Sequence, residues 1–195
     1  YIQDVSLTFL FLFSFSFRGK GAIDSSMAVL FILAVCAAVH KRYFYTVWHF
    51  ISGLYFRNII IMYLAINAWA AFVVLVNGSS DISFFITFFH MFLQWICGVF
   101  LYAWFTHKNR EKRVIEYIMV SFIIQSLIQW AAFALPSMHA FVRLFQNENT
   151  IAIGHKYGQT RALAISGSSF FGLAVSYGLA FIIFWSDENL LCNKN

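Results

Sequence analysis

Between Arg143 and Arg161 the chain collects side chains able to do ionic chemistry: Arg143, Glu148, His155, Lys156 and Arg161. Arg and Lys hold anions such as phosphate, and Arg does so through a planar fork of parallel N–H donors. Neither accepts a proton at neutral pH, so a base in this segment must be Glu148 or His155. The pattern therefore points to an anionic partner for Arg143, Lys156 and Arg161 and, if chemistry happens on this face, to Glu148 or His155 as its base. Arg161 stands at the entrance of a helix containing Gly167, Ser168, Gly172, Ala174 and Gly178, where its guanidinium and the positive helix terminus share one phosphate. The plainer alternative for Arg161 is a membrane anchor whose charged head snorkels to the interface.

Other catalytic patterns are missing. The sequence holds no Gly-rich phosphate loop, no Ser-His-Asp spacing and no pair of carboxylates suited to acid/base work. Pro136-Ser137-Met138-His139 has the Pro-Ser-x-His form of lipid phosphatases, but the second His that such a site needs is absent, since no His follows Arg161. Cys36, Cys97 and Cys192 are scattered and give neither a metal spacing nor a disulfide framework, so no metal is expected. His90 with Gln94, Gln125 with Gln129, and Asn67 lie inside apolar runs. There they predict interhelical hydrogen bonds or, alternatively, a polar cavity in which His90 is the titratable group.

The elements that position these residues follow from composition. Of 195 residues 61% are apolar and 11% charged, with a mean hydropathy of +0.74. Soluble domains carry roughly 45–50% apolar and about 25% charged residues, so a soluble globular class is excluded. One Pro and ten Gly exclude collagen-like and Pro/Gly-rich chains. The apolar runs are continuous and about twenty residues long, where a membrane barrel would show roughly ten-residue alternating segments. The expected fold is all-α, a polytopic transmembrane bundle of about six spanning helices. The runs cover residues 5–17, 22–39, 58–76, 84–106, 114–135 and 162–185 in one domain, 1–195. The net charge of +5 comes from basic clusters between the runs, which anchor helices and do not indicate nucleic acid.

Those clusters also set orientation. Lys41, Arg42 and Arg57 follow the second run, and Lys108, Arg110, Lys112 and Arg113 follow the fourth, so both connections are expected to be cytoplasmic. The amino terminus then lies inside, and residues 77–81 and 136–160 lie outside. In the outer loop Met138, Phe141, Val142, Leu144 and Phe145 recur at helical spacing, which predicts a short helix in the interface. Starting without Met and ending on a polar tail, the chain reads as part of a longer protein.

The stretch Tyr157-Gly158-Gln159-Thr160-Arg161-Ala162-Leu163-Ala164-Ile165-Ser166-Gly167-Ser168-Ser169-Phe170-Phe171-Gly172 resembles the loop-to-helix junction of Wzy-type O-antigen polymerases. The run 121–130, the Phe-rich composition and the basic outer loop are similar too. The family's Arg-x15-Gly spacing is missed by one residue, late from Arg161 to Gly178 and early from Arg143 to Gly158. The resemblance implies a glycosyltransferase of the bacterial inner membrane, of which this is the amino-terminal half. Such an enzyme moves a growing glycan from one undecaprenyl pyrophosphate carrier to the sugar of the next repeat unit on the periplasmic face, in lipopolysaccharide biosynthesis. The implied partners are that lipid-linked oligosaccharide, membrane lipids and a chain-length regulator protein, with no cofactor. A non-enzymatic membrane subunit, a polysaccharide flippase or transporter, and an O-antigen ligase are the competing readings. Internal repeats and mid-membrane charges, which would favour a transporter, are not found.

Overall fold

In hydrocarbon each backbone N–H and C=O must be satisfied within its own segment, and long apolar sequence answers this by forming helices. A computed structural model describes residues 1–15, 24–78, 83–145, 177–182 and 185. Among them only helices occur: α1 (Ile2–Leu12), α2 (Ser25–Val39), α3 (Lys41–Ile51), α4 (Leu54–Val76), α5 (Ser83–His107), α6 (Val114–Ala134) and α7 (Pro136–Arg143). A 3-10 turn at Glu111–Arg113 leads into α6. Three helical segments are long and apolar enough to cross a membrane, Leu54–Val76, Phe84–His107 and Glu111–Ala134, and α2 with α3 makes a fourth if that bent pair counts as one.

This is fewer than the six runs suggest, for local reasons. α1 has 11 residues and reaches only about 16 Å of a roughly 30 Å hydrocarbon core. It ends because serine takes over its backbone bonds: the Ser25 hydroxyl donates to the Leu10 carbonyl at 2.8 Å and accepts from the Phe15 N–H at 3.1 Å. The second run ends at His40, whose extended backbone turns the chain by 117° into α3. The segment expected to be a plain connection is therefore a helix. Its first residues, Lys41 and Arg42, cannot continue into hydrocarbon, and its buried Tyr43 and Val47 alternate with exposed Phe44, Tyr45 and Trp48. Such a helix suits the membrane interface, where aromatic rings and cations collect. The sixth run, 162–185, lies mostly outside the described residues, with helix at 177–182.

The chain forms two compact units, Leu30–Asn109 and a second made of Tyr1–Val29 with Arg110–Asn195. In the first unit α3 packs along α5. Tyr43 is wholly buried, donates from its hydroxyl to the Phe100 carbonyl at 2.8 Å, and sets its ring edge-on to Trp104 at 5.5 Å. α4 meets α5 through near-parallel rings: Phe56 on Trp95 at 4.5 Å, and Tyr63 on Phe92 at 4.4 Å and on Phe88 at 5.5 Å. Lipid tails are as apolar as side chains, so helix pairing here depends on such close packing. Ile61, Leu64, Trp69 and Phe72 of α4 are exposed, as the side chains of a lipid-facing helix would be.

In the second unit α1 lies along α6, and the two run in the same direction. Tyr1 meets Tyr117 near the start of α6, while Phe13 meets Phe122 further along. Phe13, Phe122 and Ala180 make one apolar cluster and Ala132 with Val142 another, and Phe9 packs against both. At the starting end Arg110 donates to the carboxylate of Asp4, which is wholly buried. This ion pair fixes the register of the two helices.

Candidate functional site

The described part of the outer-loop segment begins where α6 stops. Pro136 disfavours helical backbone at the residue before it, so Leu135 is extended and α6 closes at Ala134. Pro136 then starts α7, a first-turn position where its missing N–H does no harm. The expected short helix is thus present at Pro136–Arg143. Its apolar positions divide: Val142 is buried against Ala132, with Met138 and Phe145 beside it, while Phe141 and Leu144 are half exposed.

Arg143 closes α7, where a cation is favoured by the helix dipole, and is half-buried. His139 stands one turn earlier on the same face. Burial first, and then the neighbouring Arg143 charge, hold its imidazole below the ordinary value of 6.5. Pro136-Ser137-Met138-His139 is therefore the first turn of α7. His139 was legible as a site neighbour only through its four-residue spacing to Arg143.

Because His139 binds its proton less readily folded than unfolded, its contribution to stability is complete above 6.5. It is lost as pH falls through the lower, folded value. Replacing Arg143→Gln should raise the His139 titration midpoint towards 6.5 without reaching it, since burial is the larger cause. NMR of histidine-labelled protein in micelles reads this directly. An unmoved midpoint would mean that the two side chains do not sense each other.

Of the residues expected to bind or activate substrate, Arg143 is the one the structure describes. Glu148, His155, Lys156 and Arg161 lie outside the described residues, as does Cys192. Among the described residues the polar side chains of the spans differ in burial and bonding. Asn67 donates to the Tyr63 carbonyl of its own helix at 2.8 Å. Gln94 is exposed, His90 and Gln129 are half-buried, and Gln125 is wholly buried. Among the described residues Ser126 of α6 also reaches Tyr177, oxygen to oxygen at 2.6 Å.

Asp4 and Arg110 carry a charge pair that sequence spacing did not single out. The available signal was a carboxylate directly before the first apolar run, which needs a cation from elsewhere in the chain if it is buried. The arrangement offers a basic end on α7, a charge-fixed α1–α6 pair and a set of lipid-suited helices. Compared with known proteins, the chain matches no family model, no curated sequence and no solved structure.

Proposed function

We propose that this chain belongs to a polysaccharide polymerase of the bacterial inner membrane, an O-antigen glycosyltransferase acting on undecaprenyl-pyrophosphate-linked repeat units. The observation that carries the reading is residues 157–172, where Arg161 precedes a Ser- and Gly-rich entry into an apolar run. The apolar helices support a membrane setting. On this reading six runs cross, the amino terminus is cytoplasmic, and residues 136–160 form a periplasmic loop that opens with α7.

In the reaction the glycosyl C–O bond to pyrophosphate breaks, and a new C–O bond forms to the acceptor hydroxyl. The electron pair of the broken bond stays on pyrophosphate, and Arg161, Arg143 and Lys156 stabilise that charge as it develops. The acceptor proton passes to Glu148 or His155. The reaction needs no metal or nucleotide sugar.

Deleting the gene from its source strain should collapse the silver-stained lipopolysaccharide ladder to core plus one repeat. The full-length gene should restore the ladder, and Arg161→Ala, present at normal membrane levels, should not. A full ladder after deletion removes the polymerase reading. A ladder rescued by Arg161→Ala would return Arg161 to a membrane anchor.

A further inference from the structure

The middle of α6 holds an amide that its surroundings leave unsatisfied. Gln125 is 0% exposed, and neither its Nε2 nor its Oε1 has a hydrogen-bond partner. It follows Tyr117 and Ser121 at four-residue spacing, and all three are wholly buried, so the stripe lies on the packed face of α6. Ser121 does not relieve Gln125, since its hydroxyl donates to the Tyr117 carbonyl at 2.8 Å. Along the helix Gln125 falls between Phe122 and Ala132, members of the two apolar clusters that Phe9 of α1 joins.

An amide in that position is out of place unless something bonds to it. Leaving a buried donor and a buried acceptor unmade is among the larger penalties available to one side chain. Native interiors meet such groups with protein partners or with buried water, which typically makes about three hydrogen bonds. The group that satisfies Gln125 must both donate and accept, must be small enough for a site closed on all sides, and must carry no charge. Water meets each requirement. We infer that Gln125 holds a bound water on the packed face of α6, as a built hydration site within the apolar core. This does not rest on the polymerase reading.

Radiolytic labelling in 18O-water tests it on the full chain in detergent, because a trapped water oxidises the rings beside it even where bulk solvent has no access. The expected result is 18O incorporation at buried Phe122 or at Phe9, reduced several-fold in Gln125→Met. Gln125→Leu serves as a second variant read in the same way, so that one misfolded replacement does not leave the matter open. An unlabelled wild type overturns the inference, and so does labelling that survives the loss of the amide.

Discussion

Replacing Arg110 with Ala lowers the melting temperature of the detergent-solubilised protein by several degrees, more than removing any other cation among the described residues. The expectation comes from an asymmetry between the partners. The Arg110 side chain is 40% exposed and can return to water, whereas the Asp4 side chain is 0% exposed and cannot. Removing the guanidinium therefore takes the close cation from a buried carboxylate and leaves the more distant Tyr1 amino group at 3.8 Å, and breaking a buried pair from one side is far worse than never having had it. The pair also holds the Arg110 guanidinium still more firmly protonated than usual, chiefly through its hydrogen bond to Asp4. The double replacement Asp4→Leu with Arg110→Ala should recover most of the loss, since it removes the buried charge as well. Thermal melts of the two single variants and the double variant close the cycle. A double variant no more stable than Arg110→Ala would mean that the pair is incidental.

The second large effect is expected at Tyr43. Truncation to Ala removes a wholly buried ring that seats α3 against α5, and large-to-small changes of this kind cost about 3–5 kcal/mol. Tyr43→Phe keeps the ring and removes only the bond to the Phe100 carbonyl, a loss of about 0.5–1.5 kcal/mol. Comparing the two by denaturation in mixed micelles separates packing from hydrogen bonding. Equal losses would contradict the arrangement, because they would place the whole contribution in one hydroxyl.

The sequence made some of this legible and hid the rest for physical reasons. Continuous apolar runs located α4, α5 and α6 to within a few residues, because a stretch of that length has one stable backbone solution in hydrocarbon. The spacing of Met138, Val142 and Phe145 likewise announced α7. Periodicity could not reveal that Ser25 would take the Leu10 carbonyl and shorten α1, because that bond joins residues 15 positions apart. Nor could it show that α3 is a helix in its own right, since Lys41 and Arg42 read as a connection until Tyr43 and Val47 are seen to be buried. Of the candidate site, the basic end of α7 at Arg143 was readable from charge and loop position. Asn67 was less legible for another reason: it finds a partner one turn back on its own helix, which composition cannot distinguish from a partner across the bundle.

The pairing of Asp4 with Arg110 has a consequence for how the protein is made. The two residues are 106 positions apart, so at roughly 5–20 residues per second the ribosome produces Asp4 about 5–20 s before its cation. During that delay α1 is too short to hold itself across a bilayer and carries a carboxylate that hydrocarbon rejects. The order of assembly is therefore not the order of synthesis. Helices made after it enter first, and α1 takes its place only when α6 has arrived beside it.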